Sequence, residues 1–140
     1  MKRNLLLAVT LLMTVLFASA QEEEETRSVQ SGVYTEEQAE RGAKLFEETC
    51  VSCHKPGEFG DGAYMDGWSG QTAHDMIELI RTTMPQDNPG SLKRKDYVDV
   101  AAHLFRMNGL HAGDAEMDVN SVKRIRIEGP YRPSGDFRSR

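Results

Sequence analysis

The sequence predicts an all-α domain. Two capping patterns, Thr35 followed by Gln38 and Thr72 followed by Asp75, each open a segment whose apolar residues recur at helical spacing. A third segment with the same periodicity begins near Leu92. The chain shows no convincing run of the alternating apolar and polar residues that is typical of a half-buried strand.

The first predicted helix runs from Thr35 into Cys50. Gly42 and Phe46 lie four residues apart in it and therefore share one face. A glycine inside a helix costs about 1 kcal/mol relative to alanine. We therefore expect Gly42 to be there because it allows another helix to approach closely.

The second predicted helix opens at Thr72 and has Met76, Ile77 and Ile80 as its apolar face. The third begins near Leu92 and ends at Asn108-Gly109, where the glycine suits a left-handed cap. The apolar residues of this third helix are Tyr97, Val98, Val100, Ala101, Leu104 and Phe105.

Residues 1–20 have the organisation of a secretory signal peptide. A positively charged start is followed by an apolar run over residues 5–17 and by small residues that predict cleavage after Ala20. The apolar run is shorter than the roughly 20 residues that span a bilayer. We therefore expect an exported protein without a stable membrane span, the alternative being that the segment is retained as an N-terminal anchor.

The rest of the chain divides into three predicted parts. Residues 21–33 form an acidic leader that we expect to be disordered, 34–111 carry all the strong periodicity, and 112–140 form a basic tail. The formal charge of the chain is -5, and removing the two cations of the signal leaves -7. An acidic protein of this kind is a poor candidate for binding nucleic acid.

The pentapeptide Cys50-Val51-Ser52-Cys53-His54 contains the only cysteines of the chain. Its Cys-x-x-Cys-His pattern is the attachment signature of a c-type haem. The thiols of Cys50 and Cys53 add to the two vinyl groups of the porphyrin, and the imidazole of His54 is then placed to bind the iron as its proximal ligand.

Three other interpretations of the pentapeptide remain open. A dithiol redox site uses Cys-x-x-Cys but normally lies beside a βαβ pattern. A zinc site needs about four ligands, and the other histidines, His74, His103 and His111, are scattered. A structural disulfide is the third, although it is typical of cysteine-dense secreted domains.

The order of these features resembles that of a class I c-type cytochrome over residues 34–111. The resemblance rests on Gly42 and Phe46, the pentapeptide, Trp68, the run Thr83-Met84-Pro85 and the helix that closes at Asn108-Gly109. The run from Met84 to Leu92 is similar to that of cytochromes associated with quinoprotein dehydrogenases. The resemblance implies three to four helices around one covalently bound haem c, with the first and last helices crossing.

Met84 is the candidate distal ligand of the iron. It follows His54 by 30 residues and lies between a predicted helix and a proline-bounded loop, so the chain can bring it to the opposite face of the ring. A thioether is a soft donor that raises the reduction potential of haem iron. Met65 in the glycine-rich loop is the main alternative, whereas Met76 and Met107 suit core packing.

Three further positions bear on the site. The resemblance places Trp68 in the wall of the haem pocket, where its indole N–H could bond a propionate. Pro56 could supply the neighbouring carbonyl that fixes the proximal imidazole, although it follows His54 unusually closely. His103 stands where the family often has an aromatic residue, so it either packs there or provides a second imidazole ligand.

These features favour a one-electron carrier over an enzyme. A periplasmic monohaem cytochrome with His/Met ligation would pass electrons between redox protein partners, among which a quinoprotein dehydrogenase or a terminal oxidase are candidates. A haem enzyme or ligand sensor needs a displaceable sixth ligand, and the loop after Met84 offers only Asp87 as a titratable group. A dedicated electron-transfer subunit of a dehydrogenase complex is a further alternative.

Overall fold

The computed structural model describes residues 25–129, so the predicted signal peptide, residues 21–24 of the predicted leader and residues 130–140 lie outside the described residues. No helix within this range is long and apolar enough to cross a membrane. The described elements are β1 (Arg27–Ser28), a 3-10 helix (Val29–Ser31), α1 (Glu36–Thr49), α2 (Ala63–Asp66), α3 (Ala73–Thr83), α4 (Arg94–Met107), a second 3-10 helix (Ser121–Arg124) and β2 (Ile125–Arg126).

The three predicted helices are α1, α3 and α4, and the all-α prediction is confirmed. At the start of α3, Thr72 and Asp75 form the complete capping box. At the start of α1 only half of the predicted box forms, because the Thr35 hydroxyl accepts from the Gln38 N–H at 3.2 Å but the Gln38 amide group bonds elsewhere. Gly109 follows α4 with a φ of 73°, as its capping role requires.

Two elements were not predicted from the sequence. The four-residue helix α2 interrupts the glycine-rich loop, and β1 pairs with β2 in parallel over two residues each. Strands this short show no alternation, so their pairing leaves no periodic trace in the sequence.

The helices α1 and α4 cross at Gly42. A Cβ atom added at this position would overlap the backbone carbonyl group of Asp99. The two helices approach so closely because Gly42 has no side chain. This contact is the close approach that the glycine in α1 predicts.

A buried carboxylate reinforces the crossing. Asp99, on α4, is 2% exposed and accepts hydrogen bonds from Gln38 Nε2 at 3.0 Å, Arg41 Nε at 3.1 Å and Lys95 Nζ at 2.7 Å. Burial alone would raise the pKa of Asp99, but the hydrogen bonds from Arg41, Lys95 and Gln38 outweigh it and leave the pKa below its ordinary value. The carboxylate is therefore ionised and joins the two helices.

The C-terminal segment, which we define as residues 112–129, packs on the domain. The Gln38 amide donates to the Met117 carbonyl at 2.9 Å and accepts from the Met117 N–H at 2.8 Å. Farther along, the Ile127 N–H donates to the Gln71 carbonyl at 2.9 Å. The segment buries Met117, Val122, Ile125 and Ile127 in the larger apolar core.

The packed domain therefore extends beyond the predicted boundaries of 34 and 111. On the N-terminal side, Val29 and Val33 also belong to the larger core. A smaller apolar cluster formed by Phe46, Val100 and Leu104 lies between α1 and α4. The two clusters share no buried residue, and the smaller one borders the cysteine turn.

We predict that Gly42→Ala destabilises the protein by about 3 kcal/mol or more, because the new methyl group forces α1 and α4 apart. Alanine is otherwise the better helix former by about 1 kcal/mol. A loss of stability is therefore expected only because the two helices cross so closely at Gly42. Denaturant unfolding of the haem-loaded protein measures the change.

Gly67→Ala is the matched control for this prediction. Gly67 has a φ of -61°, and a Cβ atom there would meet its nearest backbone atom at 3.4 Å, an ordinary contact. Its stability should stay within about 1 kcal/mol of the parent. Equal stability of the Gly42→Ala protein and the parent would contradict the close crossing.

Candidate haem site

The Cys-x-x-Cys-His pentapeptide forms a hydrogen-bonded turn at the end of α1. The Cys50 N–H donates to the Phe46 carbonyl at 2.8 Å and thereby caps the helix. The Cys50 carbonyl then accepts from the N–H groups of Cys53 at 3.1 Å and His54 at 2.9 Å. One helical turn therefore carries both thiols and the imidazole.

Both thiols are free, with Cys50 half-buried and Cys53 exposed. Burial raises the pKa of the Cys50 thiol. The structural disulfide considered above is thus not formed. Among residues 25–129, no group of three or more His, Cys, Asp and Glu side chains is placed to share a metal ion, so the zinc interpretation lacks a ligand set there.

The turn borders an apolar surface. Half-buried apolar side chains pack against the buried cluster of Phe46, Val100 and Leu104 and remain partly exposed. Free thiols and an imidazole beside such a surface suit the haem, a large apolar group that is attached through sulfur and ligated through nitrogen. The flanking side chains are Leu45, Cys50, Phe59, Tyr64, Ile80 and Met107.

A run of aromatic rings connects His54 to Trp68. Phe59 lies 5.0 Å from the His54 ring and 5.0 Å from the Tyr64 ring, measured between centroids. Tyr64 lies 6.5 Å from Trp68, which is half-buried and also packs against the larger core. Of these aromatic residues we predicted only Trp68 for the haem pocket, although Phe59 and Tyr64 stand out as large aromatic residues in a loop rich in glycine.

The carboxylate of Glu58 lies beside Nδ1 of His54. An oxygen of Glu58 lies 3.4 Å from His54 Nδ1 and also accepts from the Lys55 N–H at 3.1 Å. Pro56, which we considered for this position through its neighbouring carbonyl, is exposed. A carboxylate beside the remaining ring nitrogen of a ligating histidine helps to orient the imidazole.

Met84 ends α3, and its backbone is fixed on three sides. Its N–H donates to the Ile80 carbonyl at 2.7 Å, and its carbonyl accepts from the Gly90 N–H at 3.3 Å and from the Tyr97 hydroxyl at 2.9 Å. The side chain is half-buried. Tyr97 was predicted only as part of the apolar face of the last helix.

The competing methionines lie in different surroundings. Met65 is 2% exposed and packs in the larger core, as do Met76 and Met117. Met107 is half-buried beside the smaller cluster. Met84 alone among these five precedes the proline-bounded loop, which supports its assignment as distal ligand over Met65.

His103 packs into the helix crossing. Its ring centroid lies 5.3 Å from that of Phe46, and its Nδ1 atom is buried and has no hydrogen-bond partner among residues 25–129. Burial, with a smaller effect of the Arg106 charge, lowers the pKa of His103. A neutral imidazole that packs against an aromatic ring suits the structural role considered for this residue.

The family model described as cytochrome c oxidase, cbb3-type, subunit III, matches residues 37–104, about half of the chain. The match covers α1, the cysteine turn, α3 and most of α4. The matched region is therefore a cytochrome c domain, which supports assignment of the chain to the class I c-type cytochromes, a family of haem-binding electron carriers. Neither the curated proteins nor the solved structures contain a match to the chain.

We predict that acid destabilises the protein partly through His103. Because the pKa of His103 is lowered in the folded state, the unfolded chain binds the proton more readily. The stability that the neutral ring contributes is complete above its ordinary pKa of 6.5 and is lost as the pH falls through the lower folded value. His103→Phe should therefore lose less stability than the parent between about pH 7 and pH 5.

Urea unfolding of the haem-loaded proteins across this pH range measures the difference. The exposed His111 serves as the control, since His111→Phe should leave the pH dependence of the parent unchanged. If the free energy of unfolding depends on pH equally in the parent and His103→Phe proteins, protonation of His103 does not contribute to the acid destabilisation.

Proposed function

We propose that this protein is an exported monohaem cytochrome that carries single electrons between redox partners in the periplasm. Cys50 and Cys53 hold one haem covalently, His54 is the proximal ligand and Met84 the distal ligand. The observation that carries the proposal is the placement of two free thiols and an imidazole on one helical turn beside an apolar surface.

The bound haem would supply an iron that alternates between the ferric and ferrous states. The chain's own residues hold it in place and control its surroundings. The apolar side chains of the smaller cluster exclude water from one side, and the Glu58 carboxylate orients the His54 ring. The soft thioether of Met84 favours the ferrous state and so raises the reduction potential.

A carrier is favoured over a haem enzyme or ligand sensor by the loop that bears Met84. An enzyme or sensor needs a sixth position that opens readily. Here the Met84 backbone makes three hydrogen bonds, one of them to the buried Tyr97. A ligand held in this way stays bound through the redox cycle, as electron transfer requires.

The partners are proposed from the resemblance and from the family. A quinoprotein dehydrogenase or a terminal oxidase fits an exported electron carrier as a redox partner. We also considered a dedicated subunit that docks through its tail. The tail packs on the domain as far as Gly129.

Covalent attachment is the first test of this proposal. The full-length protein, produced in a bacterial host that matures c-type cytochromes, should appear in the periplasm and retain haem on a denaturing gel. Cys50→Ala combined with Cys53→Ala should remove the retained haem, because no thioether bond can form, whereas Ser52→Ala should keep it. Release of haem from the parent protein under these conditions would refute covalent attachment.

We predict that Met84→His keeps the haem but lowers the reduction potential by a sizeable fraction of the ~0.8 V over which axial ligands tune haem. Imidazole is a harder donor than a thioether and favours ferric iron. The charge-transfer band of ferric iron bound to methionine sulfur should also disappear.

Potentiometry and the oxidised optical spectrum measure both effects. Met107→Leu is the control, since it removes a half-buried methionine beside the smaller cluster and should retain the band. A band that persists in the Met84→His protein would transfer the ligand role to another methionine, and Met65→Leu would be tested next.

A further inference from the structure

We propose that Tyr97 is the positioning residue of the distal ligand: its buried hydroxyl fixes the Met84 carbonyl and thereby keeps the thioether on the iron. This inference rests on the proposed function, in which Met84 is that ligand. It assigns to a core tyrosine of α4 the control of how readily the sixth coordination position opens.

The Tyr97 hydroxyl contacts both ends of the loop between α3 and α4. It donates to the Met84 carbonyl at 2.9 Å, and it accepts from the Leu92 N–H at 3.4 Å. The loop thus closes around one phenol oxygen. The first contact has the length of a good hydrogen bond, whereas the second is long.

The loop itself makes few contacts that could replace this one. Residues 86–91 are all exposed, and the hydrogen bonds within the loop join its own backbone groups, such as Asn88 N–H to the Pro85 carbonyl at 2.9 Å. The Gly90 N–H, at 3.3 Å, is the other donor that the Met84 carbonyl has there. Without the phenol, the ligand-bearing residue would be held mainly by an exposed loop.

Tyr97 itself is held firmly. Its side chain is 1% exposed and packs in the larger core. Two residues farther along α4, Asp99 is tied to α1 by the hydrogen bonds at the helix crossing. The Tyr97 hydroxyl therefore anchors the Met84 backbone to a helix that is itself fixed at the crossing. The exposed loop provides no comparable anchor.

The test is Tyr97→Phe in the haem-loaded protein, with added imidazole as a competitor for the sixth position. The phenyl ring preserves the core packing and removes only the hydroxyl. Loss of one such hydrogen bond should increase the affinity of ferric iron for imidazole roughly two- to tenfold. The methionine charge-transfer band should weaken at lower imidazole concentration than in the parent.

Tyr34→Phe is the matched control. Tyr34 is also completely buried, and its hydroxyl likewise donates to a backbone carbonyl, that of Leu110, after the end of α4. The same chemical change is made there outside the ligand loop. The proposal requires the imidazole affinity of Tyr34→Phe to match that of the parent.

Each outcome is decisive. A higher imidazole affinity in Tyr97→Phe alone supports the positioning role. Equal affinities in all three proteins, or equal increases in both variants, would overturn it, since the second result reflects general loosening. A Met84→Leu protein that retains the methionine band would instead overturn the proposed ligand and this inference together.

Discussion

The close crossing of α1 and α4 is the contact on which the rest of the site depends. Gly42 lets the helix backbones meet, and the buried Asp99 carboxylate joins them through hydrogen bonds. The cysteine turn leaves the end of α1, and Tyr97 reaches the distal loop from α4. The crossing thus connects the supports of the two candidate axial residues, which lie 30 positions apart in the chain.

The elements that local sequence controls could be predicted. The capping pattern of Thr72 and Asp75, the apolar repeats and the cysteine pentapeptide each act within a few residues, so they leave a visible trace. Gln38 shows the limit of prediction from local sequence. It suits a capping box locally, but its amide group pairs with Met117 and Asp99, which only the tertiary fold brings near.

The remaining features of the site depend on contacts between distant or irregular segments. Val122 and Ile125 lie in a segment without helical or strand periodicity, so their place in the core is not visible in the sequence. Glu58 is one of many exposed glutamates until the turn brings it to His54. Tyr97 shares the apolar pattern of its helix, which conceals the use of its hydroxyl.

The pairing of β1 with β2 brings together the two ends of the domain formed by residues 25–129. Arg27 lies beside Ile125 and Ser28 beside Arg126, with both strands running in the same direction. A domain whose ends are neighbours can be inserted into a surface loop of a host protein without stretching that loop. This domain therefore has the geometry of a transplantable module that could give a host protein a redox centre through a single site of insertion.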